Sequence, residues 1–289
     1  MLKIAIVGSG VVGQATGKGF LAKEHQVVFI DINPEVVNKL KKEGYKACLP
    51  DELEKEEIDV FFLTVSTPTV DGKIELNFLK AAVANLGSGP IKKSNKYQLV
   101  VTRSTVPPGT SENLVVPLIE KYSGKKAGKD FGVCMNPEYL REHSSLEDFQ
   151  KPWIVIIGSL DRRSGKILEK LYQPLDCPIY HVDLKEAEIQ KYIHNLFNAC
   201  KITFFNEMRL VCEDLKLNAD KIFRLVAQSA EASWNPKYGT KNLGPFAGSC
   251  LPKDTTAFLS WSQNKLERKL SLLKTIIKVN EQIKEKNNN

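Results

Sequence analysis

Apolar and polar positions along the chain fall into two regimes. In the first, short apolar runs alternate with amphipathic stretches. Leu2–Val7, Gln26–Asp31, Asp59–Val65, Gln98–Thr102 and Phe131–Met135 read as five strands, and Trp153–Gly158 as a sixth. Gly10–Lys23, Pro34–Glu43 and Ser111–Tyr122 read as helices between them. Ile4-Ala5-Ile6-Val7 and Val60-Phe61-Phe62-Leu63 are apolar at every position, as strands buried on both faces are. Strands alternating with helices predict an α/β fold with a doubly wound, Rossmann-like parallel sheet.

The pattern changes near residue 184. Lys185–Leu217 reads as one helix without Pro or Gly, apolar around much of its circumference through Ile189, Ile193, Leu196, Phe197, Phe204, Met208 and Val211. Such a helix belongs in a core or between subunits. Ala219–Gln228, Thr255–Gln263 and Leu266–Lys286 read as further helices, with an irregular insert at Ala232–Ser249. Two domains are predicted, an α/β unit over 1–184 and an all-helical unit over 185–289. A length of 289 residues suits two domains of about 150 residues each.

Composition narrows the class. With 42% hydrophobic and 26% charged residues the chain is neither disordered nor fibrous. No run approaches the roughly twenty apolar residues of a membrane span. The start, MLKIAIVGSG, lacks the pattern of a secretory signal, so a cytoplasmic protein is expected. The net charge of +7 is dispersed, and no basic stripe or module predicts a nucleic-acid partner. The six cysteines include no CxxC pair, and His25, His143, His181 and His194 have no ligand spacing, so no metal is expected.

Gly8-Ser9-Gly10-Val11-Val12-Gly13 follows a strand and opens a helix. Gly8 permits the tight turn, Gly10 lets a pyrophosphate approach the backbone, and Gly13 lets helix and strand pack closely. The helix N-terminus offers free N–H groups to phosphate. Asp31, eighteen residues after Gly13 at the end of the second strand, would accept from ribose hydroxyls. No Arg or Lys directly follows it, which favours NAD over NADP.

Four further segments carry candidate chemistry. In Asn136-Pro-Glu138-Tyr-Leu-Arg-Glu142, Asn and Pro are a helix start, which would put Glu138 and Glu142 on one face. Lys191 and Asn195 share a face of the long apolar helix, an unusual place for a charge. In Gly248-Ser249-Cys250-Leu-Pro252-Lys253-Asp254, Ser249 can cap a helix whose first turn holds Cys250, and a thiol there has a lowered pKa. Ser104-Thr105-Val-Pro-Pro-Gly-Thr110 follows the fourth strand, where such sheets bind ligands. Singly, each also has a plain structural reading: a solvated Glu pair, a snorkelling Lys, a packed Cys, ordinary loop hydroxyls.

Together these segments resemble the nucleotide-sugar 6-dehydrogenase (UDP-glucose/GDP-mannose dehydrogenase) family. The resemblance spans almost the whole chain, in order: GSGVVG, STP at 66–68, STVPPGT, NPEYLRE with LEDF, KYIHN with FNE, GSCLPKD and LLKTIIKVNEQ. It implies NAD-dependent oxidation of a sugar C6 alcohol to a carboxylate, most directly UDP-glucose to UDP-glucuronate. By the same resemblance, Cys250 attacks the C6 aldehyde and passes through a thiohemiacetal to a thioester. Lys191 and Asn195 would stabilise the oxyanion. Asp254 with Thr105 would position water, and Glu138 would assist thioester hydrolysis. Glu142 would sit near the nicotinamide, and Thr67 and Ser104 would line the cofactor. The helix 185–217 would form a homodimer core.

The chain also departs from the family. It stops where the family continues into a further nucleotide-binding domain, so a separate chain supplying that domain is one expectation. Pro245-Phe246-Ala247-Gly248 stands where GFGG is usual, Trp234 where an arginine contacts substrate, and His143 where a glycine follows the NPE motif. The alternatives are a two-electron hydroxy-acid dehydrogenase, which needs Lys191 but not Cys250, and a non-catalytic NAD-binding subunit that dimerises with a partner.

Overall fold

The structure is a computed structural model that describes residues 1–288 except 56, 71–72, 237, 240–244 and 248–249. The chain forms two compact units, Met1–His194 and Asn195–Asn289.

In the first unit, described strands β1 (Lys3–Val7), β2 (Gln26–Ile30), β3 (Ala47–Cys48), β4 (Val60–Leu63), β5 (Gln98–Thr102), β6 (Phe131–Met135), β7 (Val155–Ser159) and β8 (Ile179–Val182) make one sheet. Their order is β8-β7-β6-β5-β4-β1-β2-β3. All pairings are parallel except β6 with β7. A parallel neighbour requires a crossover back to the starting edge. The segment after β6 makes none, so β7 runs back antiparallel. The edge strands β3 and β8 escape the sequence reading because they are short and β8 is only half-buried.

The core lies on both faces of the sheet. Ala5, Val7, Phe61, Leu63, Val100 and Val133 pack on one side. Ile4, Ile6, Phe29, Phe62, Leu99 and Val101 pack on the other. This is why successive strand positions are apolar. Helices α1 (Val11–Leu21), α2 (Pro34–Lys42), α3 (Asn77–Leu86), α4 (Val116–Ser123), α5 (Ser145–Gln150) and α6 (Arg162–Tyr172) accompany the strands. Asn33 caps α2 through Glu35 N–H at 2.9 Å, with Pro34 in the first turn.

The long helix α7 (Leu184–Asp214) starts in the first unit, where Leu184 and Ala187 are buried, and continues into the second. The second unit is helical in its described residues, with α8 (Ala219–Ser229), α9 (Glu231–Trp234), α10 (Cys250–Lys265) and α11 (Ser271–Asn288). Its core joins Val211, Leu270 and Leu273 with Phe258 and Leu259. Glu207 accepts from Leu272 and Leu273 N–H at 3.0 and 3.3 Å, satisfying free donors in the first turn of α11. Arg268 grips Asp214 with two bonds of 2.6 and 2.8 Å.

Candidate active site

The glycine turn makes a cradle. Gly8 has φ +96°, and a Cβ there would lie 2.8 Å from Thr64 backbone atoms. A Cβ on Gly13 would lie 2.1 Å from Gly8 O, so only glycine lets α1 approach β1 this closely. Gly10, by contrast, faces open space, and its side has no capping side chain over the first turn of α1. The free N–H groups of that turn are therefore available to an anion. Val11 beside it is half exposed.

A cleft of about 310 Å³ opens here, lined by Gly8, Gly10, Asp31, Thr64, Ser66 and Phe78 among others, with no basic residue among the described residues of its lining. Asp31 accepts from Ser9 N–H at 2.7 Å on one carboxylate oxygen and from Asn33 N–H at 2.9 Å on the other. Each oxygen retains acceptor capacity, as a ribose diol requires. The Thr64 hydroxyl donates to Gly8 O at 2.6 Å and holds the turn from β4. Open glycine, free helix N–H groups, a carboxylate and an apolar wall fit a dinucleotide. The turn and Asp31 are legible in the sequence, whereas Thr64 and Phe78 reach the cleft only through the folded sheet.

The loops after β4 and β5 are tied together. Thr67 donates to Thr105 O at 2.9 Å, and Ser104 donates to Val65 O at 2.6 Å. Three expected site residues, Thr67, Ser104 and Thr105, are thus neighbours. Beneath them Arg103 is buried. Its Nε donates to Thr16 Oγ1 at 3.0 Å, and Nη1 donates to Tyr172 OH at 3.1 Å and to Asn136 Oδ1.

The helix expected from Asn136 does not form. Residues 136–141 are irregular, followed by a short helical turn at Glu142–Ser144 and then α5. Asn136 cannot cap because its amide is spent on tertiary bonds. It donates to Ile156 O at 2.7 Å and accepts from Tyr172 OH at 2.6 Å. Glu138 accepts from Leu140 N–H at 2.7 Å, and Asp148 takes the Arg141 N–H at 2.8 Å, closing the loop locally. The expectation that Glu138 and Glu142 share a helix face fails with that helix. The Glu142 side chain lies outside the described residues.

Lys191 reaches this loop from α7. It is 5% exposed. Its Nζ donates to the Glu138 carbonyl and, at 3.1 Å, to Glu138 Oε1. One turn earlier, the fully buried Glu188 accepts from Gly109 N–H and from Ser111 N–H at 2.7 Å. Tyr139 donates to Gln190, and its ring lies tilted against that of His194 with centroids 4.6 Å apart. Burial pushes the Tyr139 hydroxyl up to about 12, so it stays a neutral donor. Burial, then the neighbouring Lys191 charge, holds the His194 pKa below its ordinary value.

In the second unit, Cys250 is the first residue of α10 and Asp254 lies in its second turn. Their side chains, with Gly248 and Ser249, lie outside the described residues. Asn195 on α7 is exposed. Asn280 is buried and brackets the backbone of Phe246, accepting its N–H at 2.8 Å and donating to its carbonyl at 3.1 Å. That fixes the chain four residues before Cys250. Among the other thiols, Cys134 is buried and its pKa is pushed well up by that burial, which leaves it inert. No group of three or more candidate metal ligands occurs among the described residues.

Glu188, Arg103 and Asn280 were not singled out in the sequence. For Glu188 a signal existed, a second charge three residues before Lys191 in an apolar helix. Arg103 and Asn280 carry no such mark.

The chain matches the UDP-glucose/GDP-mannose dehydrogenase family, with the NAD binding domain at residues 2–55 and 49–176 and the central domain at 185–282. A GDP-mannose 6-dehydrogenase from Pseudomonas syringae pv. syringae is 33% identical over 96% of this chain and 68% of its own length. The crystal structure of a ternary complex of GDP-mannose dehydrogenase from Pseudomonas aeruginosa superposes with TM-score 0.90 at 31% identity, over 96% of this chain and 68% of that one. A UDP-glucose dehydrogenase from Pyrobaculum islandicum gives TM-score 0.74 at 34% identity, over 97% and 68%.

Proposed function

Because the chain belongs to the UDP-glucose/GDP-mannose dehydrogenase family, we propose that it oxidises the C6 alcohol of a nucleotide sugar to a carboxylate. NAD is its cofactor. The observation that carries the reading is Lys191, a buried ammonium held against Glu138 at the same strand-end edge of the sheet as the dinucleotide cleft. The chemistry NAD supplies when bound is hydride acceptance, at the alcohol and again at the aldehyde level. The cradle at Gly8, Gly10, Val11, Val12, Gly13 and Asp31 binds it, with Thr67, Ser104 and Glu142 as further contacts.

The remaining roles fall to this chain's residues. Cys250 loses its proton and adds to the aldehyde carbon, and Lys191 with Asn195 holds the oxygen that gains charge. After the second oxidation the sugar is a thioester on Cys250. Water then adds to that carbonyl, the C–S bond breaks, and the thiol and a carboxylate are released. Asp254 and Thr105 hold the attacking water, and Glu138 accepts its proton.

UDP-glucose is the substrate read from the sequence. The higher structural likeness to a GDP-mannose dehydrogenase favours GDP-mannose as a second reading. Residues 1–184 serve as the NAD-binding domain and 185–289 as the helical domain. The apolar stripe Ile189, Ile193, Leu196 and Phe197 on α7 is 42 to 63% exposed, and it supports a homodimer through helix 185–217. No helix among the described residues is long and apolar enough to cross a membrane. The cytoplasm is the proposed compartment.

The test follows NADH absorbance with NAD and either sugar nucleotide. Two NADH per sugar, abolished by Cys250→Ala and slowed about 100- to 1,000-fold by Lys191→Ala, is the expected result. One NADH, insensitive to Cys250→Ala, would point instead to a hydroxy-acid type of dehydrogenase. No turnover with intact NAD binding would favour a subunit that needs a partner chain.

A further inference from the structure

The first turns of α7 make two grips on the sheet edge. Glu188 holds the end of the loop after β5 through Gly109 and Ser111 N–H. Lys191, three residues on and so on the same helix face, holds the loop after β6 through Glu138. The first loop carries Ser104 and Thr105; the second carries Glu138.

A buried carboxylate is an expensive way to satisfy two backbone donors. A local Ser or Asn could cap that turn without desolvating a full charge. Placing the acceptor on α7 does something a local cap cannot. It ties the depth and rotation of α7 to the loop between β5 and α4. A carboxylate only accepts, and both its oxygens are engaged, so one arrangement of helix and loop satisfies both bonds. Lys191 is carried on the same rigid turn.

We propose that Glu188 is a positioning residue, which sets α7 against the Gly109–Ser111 backbone so that the Lys191 ammonium is delivered to Glu138. It touches no reacting atom and acts through Lys191. Its effect on turnover rests on the reading of the function given above.

The test combines a spectroscopic and a kinetic arm on the full chain. The Lys191 ¹⁵Nζ signal is assigned by its loss in Lys191→Met. In Glu188→Gln one carboxylate oxygen becomes an amide that faces a backbone N–H, donor against donor. The signal is expected to move towards that of solvent-exposed lysines. Turnover should fall by about tenfold or more, as displaced catalytic groups do. Should Glu188→Gln fail to fold, Glu188→Asp keeps the charge and withdraws both acceptors by one methylene, and the same shift is expected. A Lys191 signal unmoved in a folded variant overturns the proposal. A wild-type chain without turnover overturns the functional reading instead, and the spectroscopic arm still decides the role of Glu188.

Discussion

Lys191 meets Glu138 twice, once at its main-chain carbonyl and once, at 3.1 Å, at its carboxylate. The ammonium thus senses both the backbone position of the loop after β6 and the side chain it presents. With side chains 7 and 15% exposed, the pair is largely buried but keeps a small accessible face. In the oxyanion role proposed above, Lys191→Ala is expected to lower kcat by about 100- to 1,000-fold, the usual cost of losing one preorganised oxyanion group. KM for NAD should stay near wild type. Steady-state kinetics checks this, and a large rise in KM for NAD with kcat intact would contradict it.

Asp31 has a different task. It braces the glycine turn through Ser9 N–H at 2.7 Å and faces the cleft. Asp31→Ala should weaken NAD binding by about tenfold or more, one to two kcal/mol of charge-assisted hydrogen bonding. Discrimination against NADP should narrow, because the carboxylate that repels a 2′-phosphate is gone. Calorimetric titration with each dinucleotide measures both effects.

Gly13 is constrained by space. Its Cβ would lie 2.1 Å from Gly8 O, a backbone atom that cannot swing away. Gly13→Ala should separate α1 from β1 at a cost of about 1–3 kcal/mol, with NAD binding impaired as well. Gly10→Ala, whose Cβ meets nothing within 4 Å, should leave stability within about 1 kcal/mol of wild type. A urea titration of the two variants, each with and without NAD, tests the contrast.

Acid should loosen the Glu138 loop through Asp148. Hydrogen bonding to Arg141 at 2.6 and 3.1 Å holds its carboxyl well below the usual carboxylate range. A depressed folded-state pKa means that the stabilisation is complete above the unfolded value, about 4. It is lost as pH falls from there through the folded value. The stability gap between wild type and Asp148→Asn should accordingly be widest at neutral pH and close as pH drops below about 4. Denaturation midpoints across that range would show it, and a gap independent of pH would refute it.

The order of strands and helices, the glycine turn with Asp31, and the long helix carrying Lys191 are legible in the sequence because local rules govern them. Apolar runs make buried strands, three glycines make one turn, and a Pro-free apolar stretch makes one helix. The sequence also placed Thr67, Ser104, Thr105 and Glu138 as candidates, and their loops do lie at one sheet edge. It could not place the antiparallel return of β7, the irregular course of Asn136–Arg141, or the burial of Arg103 and Glu188. Those depend on partners far along the chain. Asn136 has the local chemistry of a helix cap, but its amide bonds Ile156 and Tyr172 instead. Glu188 looks like a helix-surface charge until Gly109 and Ser111, 79 and 77 residues away, bring it two backbone donors. Propensity is a property of neighbours in sequence. The satisfaction of a buried polar group is decided by neighbours in space, and only the tertiary structure supplies those.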